Sequence, residues 1–227
     1  RSLVKHGDLS GKLGDARVLM SLPNVRARRV VVAGLGKREQ FGVSAFRSAV
    51  AAAMAALRGS KTRDVVNYLT LEDLRDTDPY YLARYTVEAI GSALYRFTAM
   101  KSGRKDPPPA IERIGLALAA AGDRSAATRG AEHADAIVTA TALARDLGNL
   151  PPNVCTPSYL ARTAQRLAKE LANVTTQVIN EAEMKRLGMN ALLSVTAGTS
   201  EPAKLIVNEA QAEVTRLQAE LDRLRES

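Results

Sequence analysis

Residues 29–57 read RVVVAGLGKREQFGVSAFRSAVAAAMAAL, and the class of fold turns on this stretch. Residues 29–33 are an unbroken run rich in Val, the pattern of a strand buried on both faces. Gly34-Leu35-Gly36 ends the run as a turn. Residues 44–57, dominated by Ala, predict a helix with Ser44 as N-cap and Gly59 as stop. Strand, glycine turn and helix make one βα unit.

Outward from this unit the same alternation continues. Residues 16–22 predict a preceding strand that ends at Pro23-Asn24, and residues 65–69 predict a following one. Asp78 caps a helix that Pro79 opens and that runs to residue 97. Residues 101–109, KSGRKDPPP, form neither helix nor central strand, and 111–118 predict one more strand. A long helix over 131–147, stopped by Gly148, is the natural connector to a second region. There, Thr156 or Ser158 opens a helix over 159–171, followed by a strand at 175–179, short helices at 181–187 and 191–195, and a strand at 203–207. The reading is an α/β layer structure with a mainly parallel or mixed sheet.

The last residues change character. Ala210, Val214, Leu217, Leu221 and Leu224 are spaced by four, three, four and three with polar residues between them. This heptad seam is a candidate oligomer contact; the alternative is a single amphipathic helix lying on the domain.

Composition narrows the function classes. The chain has 227 residues with one cysteine, Cys155, so no internal disulfide forms. No apolar stretch approaches the roughly 20 residues of a membrane span, and the cytoplasm is the expected compartment. Aromatics are 4% of the chain with no Trp, which argues against base stacking. The net charge of +8 is uneven: residues 1–130 carry 22 basic and 12 acidic side chains, the remainder 10 and 12. Such a basic half suits either an anionic partner or a solvated surface.

Local motifs do not make an active site. Gly34-Leu35-Gly36-Lys37 lacks the spacing of a phosphate loop, because Val31 and Arg38 stand where a glycine and a hydroxyl residue are required, and Glu39 stands in place of the third dinucleotide-fold glycine. His6 and His133 have no partner at metal-ligand spacing. No histidine follows Cys155 to activate it. Glu72, Asp73, Asp76 and Asp78 match no calcium loop, and Asp78 is already read as a cap.

Two stretches carry more: residues 144–161, ARDLGNLPPNVCTPSYLA, and residues 184–200, MKRLGMNALLSVTAGTS. They closely resemble the opening of the catalytic domain of the leucyl (cytosol) aminopeptidases. Residues 11–25, 31–37 and Tyr95-Arg96-Phe97 resemble the N-terminal regulatory domain of that family. The resemblance covers about residues 1–207. It implies a macro-like mixed-sheet domain over 1–130, a linker helix over 131–147 and an incomplete α/β second domain over 148–207; residues 208–227, the heptad-like C-terminal amphipathic helix, depart from the family. It also implies hydrolytic removal of N-terminal residues from peptides by hexamers that use two divalent cations, zinc or manganese.

The family's metal-ligating motifs, a Gly-Lys-Gly loop followed by Asp and an Asn-Thr-Asp-Ala-Glu-Gly-Arg sequence, lie beyond the point matching Val207. Neither occurs here. The chain is therefore expected to be cut short of the family pattern, to hold no metal or catalytic residue of its own and to be inactive alone. About a strand and a helix of the family are also missing before Leu3, and apolar faces of the incomplete second domain are expected to need a covering partner. Some bacterial relatives bind DNA as accessory factors, and the basic first half supports an alternative reading as a DNA-binding or assembly module. Its candidate phosphate contacts are Arg26, Arg28, Arg29, Lys37, Arg38, Lys101, Arg104 and Lys105.

Overall fold

The computed structural model describes residues 6–7, 10–100 and 111–210. It divides between Gly148 and Asn149 into two compact units. Candidate residues Lys101, Arg104, Lys105, Val214, Leu217, Leu221 and Leu224 lie outside the described residues.

In the first unit β1 (Ala16–Met20) and β2 (Arg29–Ala33) pair antiparallel, Ala16 opposite Ala33 and Met20 opposite Arg29. β3 (Asp64–Asn67) and β4 (Arg113–Leu116) pair parallel, Asp64 opposite Arg113. Among the described residues these are separate two-stranded sheets rather than one layer. The expectation that β2 is covered on both faces is overturned: none of its residues is buried, and Val32 is 36% exposed. A β-branched run encodes the extended backbone, but cover depends on neighbours, and β1 is the strand beside it.

The core of this unit sits instead between helices. α1 (Val43–Ala56) contributes Phe46, Val50 and Met54, and α2 (Pro79–Leu94) contributes Ala89, Ile90 and Ala93, with Leu74 closing the cluster. Ile114 of β4 packs against it from outside. Gly42, not Ser44, is the N-cap of α1. The helix starts earlier because Phe41 and Phe46, the N′ and N4 positions of a hydrophobic staple, are both drawn into the core cluster. Asp78 caps α2 as expected, accepting a hydrogen bond from the Tyr81 N–H at 2.9 Å, and the helix ends at Leu94, short of residue 97, where Tyr95 turns extended.

α3 (Arg124–Asn149) begins seven residues before the expected position and runs through both Gly130 and Gly148. The Asp123 carboxylate accepts from the Ala120 N–H just ahead of it. Gly130 is a packing residue: a Cβ there would strike the Tyr80 backbone carbonyl, and a Cβ on Gly91 would strike the Val138 side chain. Contacts at Tyr80/Gly130, Gly91/Val138 and Tyr95/Asp146 advance together along both chains, so α2 and α3 run in the same direction.

The second unit packs α4 (Pro157–Glu170) on an antiparallel pair, β5 (Val174–Asn180) and β6 (Lys204–Ala210), with α5 (Glu181–Arg186) and α6 (Asn190–Ser194) between the strands in sequence. Thr156, not Ser158, caps α4 by accepting from the Tyr159 N–H. Ile179, Met184 and Ala203 form the core. β6 extends to Ala210, which pairs with Val174, so the first residue of the proposed heptad seam belongs to a strand. No helix among the described residues is long and apolar enough to cross a membrane.

Two glycines of one helix separate packing from propensity. Gly130→Ala is expected to destabilise the first unit by about 1–3 kcal/mol, since the added methyl meets backbone that cannot turn away. Gly148→Ala meets no atom within 4 Å and is expected to stabilise by about 0.5 kcal/mol through helix propensity. Urea unfolding of the two variants measures both.

Candidate functional site

The most developed polar constellation lies on α1, α2 and α3 of the first unit. The Arg47 guanidinium donates to Glu88 Oε2 at 2.7 Å, and Arg84 Nε donates to Glu88 Oε1 at 2.8 Å. Arg84 and Glu88 are one helical turn apart on α2, so their meeting is dictated by helix geometry; Arg47 arrives from α1. The Glu88 side chain is 13% exposed. Burial alone would raise its pKa, but the hydrogen bonds and charges of Arg84 and Arg47 outweigh burial and hold it below the usual glutamate value. Beside this network Arg145 of α3 stacks over the Tyr95 ring, 3.7 Å from its centroid, and the Tyr95 hydroxyl donates to Asp146 at 2.7 Å. Arg47, Glu88, Ser92, Thr141 and Arg145 line a common pocket of about 130 Å³.

The glycine turn after β2 is accounted for by packing. The Gly36 N–H donates to the Gly11 carbonyl at 3.0 Å, and a Cβ on Gly34 would collide with the Lys12 carbonyl. Amides of this turn are thus spent on the chain rather than offered to a phosphate. The open cleft of about 730 Å³ next to it is lined by Arg38 and Arg75 against Glu39, Glu72, Asp73 and Asp76. Its excess of carboxylates repels a phosphate.

The structure divides the basic candidates. Arg26 and Arg28 lie in the β1–β2 connection and Arg29 at the adjoining end of β2, whereas Lys37 and Arg38 follow its other end. The length of β2, about 13 Å, separates the two groups. His133 is exposed on α3 with Nδ1 2.8 Å from the Tyr80 hydroxyl. Cys155 is half-buried, its N–H donating to the Pro151 carbonyl at 2.9 Å. Among the described residues no three His, Cys, Asp or Glu side chains converge as a metal site. In the second unit Ser158, Arg162, Gln165, Asn180 and Lys204 line a polar groove of about 290 Å³, with Lys204 Nζ donating to Asn180 Oδ1 at 2.6 Å.

Sequence reading missed the pocket on α1–α3. The available signals were the Arg84–Glu88 spacing and two glycines, Gly91 and Gly130, inside helical segments, which mark close packing.

The depressed pKa of Glu88 carries a sign. Its stabilisation is fully present above the unfolded value, about 4.5, and is lost as pH falls through the lower folded value. Thermal midpoints measured as pH falls from the unfolded value to the lower folded one should drop less steeply for Glu88→Gln than for the parent chain, with the variant less stable near neutrality.

Comparison with known proteins places these features in a family. Residues 1–104 match the model of the cytosol aminopeptidase family N-terminal domain, and residues 142–217 match that of its catalytic domain. The cytosol aminopeptidase of Pseudomonas aeruginosa is 39% identical over 208 residues, covering 91% of this chain and 41% of that protein. A probable cytosol aminopeptidase of Nitrosococcus oceani is 36% identical over 207 residues, covering 91% and 41%. Among solved structures, the bottromycin maturation enzyme BotP in complex with Mn shares 26% identity with a TM-score of 0.72, over 91% of this chain and 41% of that one. A mutant of tomato leucine aminopeptidase shares the fold at 22% identity and a TM-score of 0.74, over 91% and 40%. The chain thus spans about two fifths of the length of the relatives it matches, and across both of its matched regions it belongs to the cytosol aminopeptidase family.

Proposed function

We propose that this protein serves the metal-dependent removal of N-terminal residues from peptides, and that the 227 residues supply the N-terminal domain and the opening of the catalytic domain without the reacting centre. The observation that carries this reading is the pairing of a catalytic-domain match over residues 142–217 with the absence of the family's metal-ligating motifs from the sequence. The described residues do not fit a pair of divalent cations, since no three donor side chains converge. No catalytic step is therefore assigned to any residue here.

What the chain does supply is scaffold. Thr156 and Pro157 start α4, whose buried face of Ala161, Thr163 and Ala164 seats the β5–β6 pair. Leu160, Leu171, Leu187, Leu192 and Val195 remain exposed in this unit, Val195 at 81%. Exposed apolar residues at that density suit a unit that gains further cover in a longer or assembled protein.

Hydrolysis of a leucine anilide with added manganese or zinc tests the proposal on material whose intact mass matches these 227 residues. No turnover above the metal alone is expected. Turnover that a chelator abolishes and that survives repurification would overturn it.

A further inference from the structure

We propose that the pocket on α1, α2 and α3 binds a small oxyanion, a phosphate or carboxylate group, through Arg145, Arg47, Thr141 and Ser92. The inference is independent of the peptidase reading and rests on what the lining groups have left to offer.

Glu88 is the carboxylate in the lining, and both of its oxygens already accept charge-assisted hydrogen bonds, one from Arg47 and one from Arg84, which lies outside the pocket. Arg145 makes no ion pair among the described residues. The lining therefore carries two guanidinium groups against one carboxylate, a net charge of +1. That balance favours an anion over a cation as occupant.

Geometry points the same way. The Arg145 guanidinium lies over the Tyr95 ring, a position held because Tyr95 is itself tied to Asp146. Stacking uses the face of a guanidinium and leaves the N–H groups of its edge to meet a planar or tetrahedral oxyanion. Arg47 spends one terminal nitrogen on Glu88 and retains further N–H donors. The hydroxyls of Thr141, one turn before Arg145 on α3, and Ser92 on α2 add donors from two other positions. Ile137 and Val138 complete the wall with apolar surface. The pocket, of about 130 Å³, has room for a phosphate or a short carboxylate.

The test is titration of the full chain, with arginine side chains labelled with nitrogen-15, using sodium phosphate in one arm and sodium acetate in the other at constant ionic strength. Saturable shifts at Arg145 Nε–H, with a dissociation constant on the order of 1 mM, are expected. Arg145→Gln should weaken binding by about tenfold or more, and Thr141→Val by less, with thermal midpoints unchanged to show that both variants fold. Saturation by phosphate alone assigns a tetrahedral oxyanion, and saturation by acetate as well assigns a carboxylate. Shifts that stay linear in both arms, or affinities unchanged in both variants, would overturn the proposal.

Discussion

The packing of α2 on α1 around Phe46 is the constraint on which the first unit depends. With three Phe, six Tyr and no Trp in the chain, Phe46 is the one aromatic side chain buried among the described residues. Interior volume must then be filled by bringing backbones together. Ala83, Thr86, Ala89, Ile90 and Ala93 form the buried face of α2, and the Thr86 hydroxyl is satisfied by the Leu82 carbonyl at 2.7 Å, so the one polar residue among them stands without an orphaned donor. Gly91 and Gly130 admit α3 at distances that no side chain would allow. Gly130 against Tyr80 and Gly91 against Val138 are two points at which α3 meets α2.

The same constraint explains what was legible in the sequence. Local chemistry was readable: β2 occupies residues 29–33 as its β-branched run predicts, Asp78 and Pro79 start α2, and Thr156 and Pro157 start α4. Glycine was the ambiguous letter. Gly148 suggested a helix limit because a helical glycine costs about 1 kcal/mol, yet the helix runs through it and through Gly130 as well. At Gly130 the cost is offset by contact with α2, a tertiary fact that no window of sequence contains. Strand cover was equally hidden, because whether β2 gains a second neighbour is decided by residues far from it in the chain.

The candidate site follows the same division. Family motifs at residues 144–161 and 184–200 were visible because they are contiguous, and they led to the family that the comparisons show. The oxyanion pocket was not visible, since Arg47 and Arg145 stand about a hundred residues apart and meet only because α1, α2 and α3 pack together. The sequence alone names Arg26, Arg28 and Arg29, with Lys37 and Arg38 across the strand, as candidate phosphate contacts. The intervening strand sets the first three and the last two at opposite ends.

That separation changes how the positive charge of residues 1–130 should be understood. Screening in about 0.15 M salt acts over about 8 Å, which is shorter than the roughly 13 Å length of β2, so a small anion at one end of the strand is little affected by the charges at the other. Within the first unit the local balances even differ in sign. The cleft beside Gly36 carries four carboxylates against two arginines, whereas the pocket on α2 and α3 carries two arginines against a carboxylate that is already occupied. A net count describes solubility and long-range steering at low salt; selection of an anion requires donors that converge within a few ångströms. In this unit the pocket around Arg145 brings the donors of Arg47, Ser92, Thr141 and Arg145 to one lining, with Arg145 seated over the Tyr95 ring.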